Sequence, residues 1–508
     1  MKGNLVVAML GAVALALIPV VGHAAPSLVQ VAGHHAWTSA PVSVNLFSPL
    51  SQWSGGAEAH AAKPFLKPPR TKTGSTGRAS VASLPAVQGT SPLLTQVSTF
   101  PLMSYDVQVA VLGLLQAAEP PDTMVAAGTT GLLETVNSNA SFWTKTGTRT
   151  ALVDLNKALP MPAGWTFSDP RVLFDTASGR FFFTGLGFSL NHSSVVFLGV
   201  AKTTDPAGGF FIYTVAQTSN GQLHDQPKIG VNDDKVVISW DEYCCGFFGT
   251  FRGAETFVFE KATLLTGAVT PVFFVGPIPA QSSPVPAQSL SSTTTAYVTF
   301  NHGTFTGVLA ITGTPALNNV VITETDLPMP ATSTPPMAVQ PGGTVATNDD
   351  RFLSSIWQNG VLWVSGNTGC IPAGSPIVRA CMRLVQVATT PAPPTLLQAF
   401  DIGRSGVDAY FPAVTMDPGG DLFVSFSASS SSVFVSAAAL EITAGAPPGT
   451  ISGASVFQIG AQKYGGTRWG DYSAISVDPV TGAIWAAAEY SALGSNHDWG
   501  TAAAQFTP

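Results

Sequence analysis

The stretch Arg468-Trp469-Gly470-Asp471-Tyr472-Ser473-Ala474-Ile475-Ser476-Val477-Asp478-Pro479-Val480-Thr481-Gly482 holds, in order, a polar entry, an alternating apolar run and a turn signal. Ile475 and Val477 alternate with polar or small neighbours, the period of two that marks a strand. The run from Asp478 to Gly482 carries the residue types that favour a tight turn, and Ile484-Trp485-Ala486 opens a second strand beyond it. The unit recurs upstream. Turn signals stand at residues 175–179, at Asn232-Asp233-Asp234, at Asn359-Gly360 and at Asp417-Pro418-Gly419-Gly420, and Pro170, Pro227, Pro412 and Ser473 each lie five residues before a turn. The same alternation is seen at Val172 and Phe174, Ile229 and Val231, and Val414 and Met416. Proline can open such a strand because a first residue can forgo its ladder donor.

Two fainter copies, residues 121–128 and the segment from Pro286 to Phe300, complete a series of seven. With Asp122, Asp169, Asp225, Gln288, Asp349, Tyr410 and Asp471 as starts, the units are spaced 47, 56, 63, 61, 61 and 61 residues apart. Each unit is long enough for a four-stranded sheet, and sheets repeated around an axis make a β-propeller. Regular spacing argues against a sandwich, and no amphipathic helical pattern separates the strands as a parallel α/β sheet requires. The chain is therefore expected to be all-β, with a single β-propeller of seven blades over residues 119–508. The Pro286 unit is weak, so six or eight blades also fit.

Residues 1–24 carry one early cation, Lys2, then an apolar run from Leu5 to Val21 and small residues at Gly22 and Ala24. That is the layout of a secretory signal peptide, and the expected location is extracellular or periplasmic. No second apolar run of roughly 18 residues follows, so no membrane span is expected. A net charge of -7 without a basic block argues against a nucleic-acid partner. Only 10% of residues are charged, against roughly 25% in ordinary soluble proteins. Few carboxylates leave little to protonate, and the fold is expected to tolerate acid. Residues 25–118 are rich in Ser, Pro, Gly and Ala and include the basic cluster Lys63, Lys67, Arg70, Lys72 and Arg78. They read as a flexible, low-complexity linker or pro-segment, with little periodic apolar surface to offset ordering entropy.

Four cysteines suit an oxidising compartment. Cys370 and Cys381 flank a loop containing Pro372, Gly374 and Pro376, where a bridge would contribute roughly 2 to 3 kcal/mol through loop closure. Cys244 and Cys245 either form a vicinal pair or bridge to the other two.

Several local patterns together resemble a large group of secreted bacterial β-propeller proteins of sialidase-like architecture. They are Asp122-Thr123; residues 168–175 with Gly179-Arg180-Phe181; Asp225-Gln226-Pro227; Asn348-Asp349-Asp350-Arg351; Tyr410-Phe411-Pro412-Ala413 with Gly420-Asp421; and residues 468–473. The closing Asp498-Trp499-Gly500-Thr501 is similar to that group's final segment, so the resemblance covers about residues 119–508. It implies an architecture without a reaction, since most members have no assigned activity. No blade carries the Ser-x-Asp-x-Gly-x-x-Trp turn box of true sialidases.

Asp122, Asp169, Asp225, Asp349, Asp350, Asp408 and Asp471 lie at or near blade starts and can converge at one mouth of the channel. Convergent carboxylates raise one another's pKa and can bind a cation or move protons. Arg171, Arg351, Arg404 and Arg468 lie at or near the same ends, and inward guanidinium forks can clamp a sugar or peptide carboxylate. With Tyr472 or Glu489 as nucleophile, this is the inventory of a retaining glycosidase. The catalytic candidates are Asp169, Arg171, Arg351, Arg468, Asp471 and Tyr472. The same residues also have a structural use, because an Asp before a strand caps its loop through backbone amides and an ion-paired Arg/Asp ring ties blades together. No cofactor is expected, although the aspartate ring leaves calcium open. Most tryptophans sit on strands as core, with Trp165 the one expected to be exposed. No nucleophile elbow, phosphate loop, dinucleotide fingerprint or paired-His motif is present. The function expected is an extracellular binding or scaffold domain, monomeric, taking a glycan or protein ligand at the mouth. The alternatives are a sialidase- or glycosidase-type hydrolase using the Arg/Asp ring, and a structural envelope protein.

Overall fold

The computed structural model describes residues 28–45, 94–114, 117–245, 249–466 and 468–508. The signal-peptide segment at residues 1–24 and the basic cluster from Lys63 to Arg78 lie outside them. Alternating apolar strands joined by short turns leave each sheet with two faces to bury, and seven antiparallel sheets do so against one another. The innermost strands are Met124–Ala127, Thr166–Asp175, Leu223–Val231, Val285–Pro286, Phe352–Gln358, Val407–Met416 and Ala474–Val477. Each touches the next and the last touches the first, which closes a ring of seven blades. The Asn359-Gly360 turn shows how local sequence sets the hairpins: both residues have positive φ, 49° and 84°, the geometry of a two-residue primed turn.

The core is accordingly divided into layers, one between each pair of neighbours. Blades one and two share Phe142, Phe167, Phe174 and Phe181; blades two and three share Phe182, Leu198, Ile238 and Trp240. The remaining junctions repeat the arrangement round to blades seven and one, where Trp485 and Trp499 pack with Val125 and Leu132. Trp240, Trp357, Trp363, Trp469, Trp485 and Trp499 are all buried, and Trp165 is half-buried against the layer between blades one and two.

The linker expected over residues 25–118 is corrected by two pieces of it. Gln96–Ser104 pairs with Trp499–Phe506 as the outermost strand of blade seven, so segments on either side of the other six blades in sequence are stitched into one sheet. Leu102 and Met103 enter the core between blades seven and one. Leu28–Val31, His34–Trp37 and Val42–Val44 then add a fifth, outermost strand to blades four, three and two in turn. Val31, Ala36 and Val44 of these strands pack against the layers of the blades they join.

One blade start also moves. In blade four the inner strand begins after Ser283, which shares positive φ and a following proline with Asp169. Gln288–Ser289 leaves that blade and pairs in parallel with Phe352–Gln358 of blade five. The cysteines are bridged Cys370–Cys381 and Cys244–Cys245.

Removing residues 1–45 is expected to leave a cooperatively folded propeller of lower Tm, whereas removal through residue 104 is expected to abolish the cooperative transition. Differential scanning calorimetry of the two truncations checks this.

Candidate functional site

A proline early in an inner strand cannot donate to the ladder, and the chain answers with a bulge. The register shifts across Asp169-Pro170, Gln226-Pro227 and Phe411-Pro412. The residue before each proline has positive φ, Asp169 at 53°, Gln226 at 50°, Ser283 at 46° and Phe411 at 58°, and Asp122 at 56° and Asn348 at 58° adopt it with no proline following. A left-handed residue other than glycine is costly. Its recurrence at six of seven blade entries marks it as architecture and not as the strain of one active site.

The N–H turned out of the ladder is accepted by a side chain of the preceding blade. Asp169 N donates to Asn137 Oδ1 at 2.8 Å, Gln226 N to Asp169 Oδ2 at 3.0 Å, Ser283 N to Asp241 Oδ1 at 2.6 Å and Phe411 N to Asn367 Oδ1 at 2.6 Å. At the closing junction Thr123 N and Oγ1 donate to Glu489 Oε1 at 3.3 and 3.2 Å. Asp169, a catalytic candidate, and Glu489, a candidate nucleophile, are thus held in junctions between blades. Burial, with Asp122 adding to it, holds the Glu489 carboxyl well above its ordinary value.

The six candidates converge as expected, but on one another. Arg351 closes on Asp349 with Nε to Oδ1 and Nη2 to Oδ2, both 2.8 Å, and its Nη1 donates to Gln226 Oε1 at 2.7 Å. Gln226 Nε2 donates to Asp471 Oδ2 at 3.0 Å, and Asp471 Oδ1 receives Arg468 Nη2 and Asn348 Nδ2, each at 2.5 Å. Arg171 lies 3.5 Å above the Tyr472 ring and donates to Leu353 O at 3.1 Å; the Tyr472 hydroxyl donates to Pro170 O at 2.9 Å. Burial alone would lower the Arg351 pKa, but Asp349 outweighs it and holds the value above the ordinary one. Burial pushes Tyr472 well up, so its hydroxyl stays protonated. The Arg468 side chain keeps 19% of its surface exposed.

Two expected members stand apart. Arg404 is exposed in a turn, and Asp408 pairs with Arg379 and accepts Ala380 N and Val339 N. Gln226, Asn348 and Asn137 were not anticipated; the signal for Gln226 was its place before Pro227, matching Asp169 before Pro170. Lys228 also went unread. Burial pushes its ammonium down to about 7, and with Arg171 it lines a channel cavity of about 70 Å³ to which all seven inner strands contribute. A larger space of about 310 Å³ lies between blades five and six, lined by Gln358, Trp363, Gln386, Gln398 and the turn residues Pro418-Gly419-Gly420. Two His/carboxylate groups, His224 with Glu242 and Glu255, and His302 with Glu324 and Asp326, bring ligand atoms within 4.8 Å of one another.

No protein-family model matches the chain, and no curated protein matches it in sequence. Among solved structures it is similar to a protein of unknown function from Dyadobacter fermentans, at 9% identity over 68% of this chain and 95% of that one, TM-score 0.36. It is similar to the Hadza microbial sialidase Hz136 at 12% identity over 61% and 64%, TM-score 0.37. A Trypanosoma rangeli sialidase in complex with the inhibitor DANA shares 8% identity over 76% and 58%, TM-score 0.34. Likenesses this distant transfer no residue role.

Two outcomes test the network's chemistry. At Gly470 a Cβ would overlap the Glu489 carboxylate, so Gly470→Ala is expected to destabilise by about 2 kcal/mol or more, measured by chemical denaturation. Glu134, wholly buried, is bound by Trp143 Nε1 at 2.9 Å, Met103 N at 3.3 Å and Thr501 Oγ1 at 2.5 Å. Burial pushes it from 4.5 up to about 7. The folded chain keeps that proton where the unfolded chain releases it, so its contribution is full below pH 4.5 and is lost as pH rises to about 7. Wild-type Tm is expected to fall across that window more steeply than that of Glu134→Gln; parallel profiles would refute the assignment.

Proposed function

We propose that the chain is a secreted binding or scaffold propeller for a glycan or protein ligand, and that its Arg/Asp network is structural. The observation that carries this reading is the Arg351 fork, which would have to grip a substrate carboxylate and is instead closed bidentately on Asp349 in a buried layer. Tyr472 and Glu489, the nucleophile candidates, are buried, burial raises the pKa of each, and each is committed to a neighbouring blade. The channel cavity is far smaller than the roughly 300 Å³ at which small-molecule sites begin.

The space between blades five and six reaches that size. Its amide side chains suit hydroxyl-rich or peptide ligands, and Gln398 Oε1 is buried there without a partner. The hydrolase reading keeps one observation in its favour: Arg171 Nη2 is also buried without a partner, beside the channel cavity. Export rests on the residues 1–24 pattern, and acid tolerance on the few carboxylates and the buried proton of Glu134.

A panel of chromogenic glycosides, sialosides included, is expected to show no turnover, and Arg351→Met to cost about 3 kcal/mol of stability. Turnover lost in Arg351→Met at unchanged Tm would overturn the structural reading. On a glycan and protein array, Gln386→Ala and Gln398→Ala are expected to weaken any captured ligand without lowering Tm; unaltered binding would remove the pocket from the proposal.

A further inference from the structure

The end of blade three that carries the Cys244–Cys245 hairpin holds a donor set that neither the inter-blade junctions nor the channel network uses. His224 and Glu242 are direct cross-strand partners on Leu223–Val231 and Lys235–Cys244. On the next strand, Thr250–Glu260, Glu255 is paired with Trp240 and Gly253 with Glu242. Because side chains alternate between faces, this register puts His224, Glu242 and Glu255 on one face of one sheet. Their ligand atoms lie within 4.8 Å of one another.

His224 is only 4% exposed, and its Nδ1 has no hydrogen-bond partner. Its Nε2 stands 3.8 Å from Glu255 Oε2, beyond hydrogen-bonding range. Leaving an imidazole unsatisfied at such depth costs about 1 to 3 kcal/mol.

The surroundings hold the set in place. Trp240 Nε1 donates to Glu255 Oε2 at 2.7 Å, the Trp240 ring lies 5.1 Å from the His224 ring, and His224 N donates to Ser194 Oγ at 3.0 Å. A hydrogen bond to a ligating carboxylate and a packed imidazole are what keep ligands oriented.

We propose that His224, Glu242 and Glu255 form a binding site for a divalent transition-metal cation of the zinc type. Imidazole in the donor set selects such an ion over calcium or magnesium, which take oxygen ligands. Three protein ligands leave a coordination position for water or a ligand's carboxylate. The site is distinct from the channel and from the space between blades five and six.

The test is zinc binding by the full-length protein, followed by isothermal titration calorimetry and by metal analysis after dialysis against micromolar zinc. About one zinc per chain is expected at this site, with binding weakened about tenfold or more in His224→Ala and in the near-isosteric Glu255→Gln. Should His224→Ala fail to fold, Glu255→Gln carries the test, with Tm in EDTA as its folding control. Absence of zinc from the wild type, or full affinity in the folded variants, would overturn the proposal; the second result would place the ion elsewhere, for instance at His302, Glu324 and Asp326. Calcium displacing zinc at equal concentration would overturn the choice of ion.

Discussion

The structure depends on a backbone amide with nowhere to go inside its own sheet. At four inner-strand heads the residue before a proline has positive φ, and its N–H leaves the ladder. Buried, that N–H needs an acceptor, and the preceding blade supplies one: Asn137, Asp169, Asp241 and Asn367. At the closing junction Glu489 accepts Thr123 N in the same way. The apolar layers then fill the space between blades, and the pairing of Gln96–Ser104 with Trp499–Phe506 prevents the ring from opening.

Charge in the channel follows from the same geometry. Seven strand heads converge, so polar side chains serving the junctions also meet one another away from water. Isolated charges there would be costly, and the affordable arrangement is mutual neutralisation. Arg351 with Asp349, Arg468 with Asp471, and Gln226 bridging the two pairs realise it. A group committed to a neighbour in this way is a poor catalyst, because gripping a substrate would mean giving up a buried partner.

Much of this was legible along the chain. Strand, turn and strand repeats gave the blade number through Ile475 and Val477 and their upstream equivalents, because alternation and turn chemistry are local properties. The convergence of Asp169, Arg171, Arg351, Arg468, Asp471 and Tyr472 was legible too, because radial repetition brings equivalent positions together. Blade four was misplaced at Gln288 because Ser283-Pro284 lacks the acidic residue that flagged Asp122, Asp169, Asp225, Asp349 and Asp471. Leu28–Val31, His34–Trp37 and Val42–Val44 were unreadable as strands, since what holds an edge strand is the exposed ladder of the sheet it joins.

By itself, then, the sequence determined an all-β chain of seven repeated units, with polar strand heads and apolar strand bodies, because these rest on periods of two and on turn residues. Only the tertiary structure decided what each polar head binds. That Glu489 is the acceptor for Thr123 depends on which blades lie side by side. That adjacency joins residues hundreds of positions apart, as Tyr472 joins Pro170, and it exists only once the ring is closed.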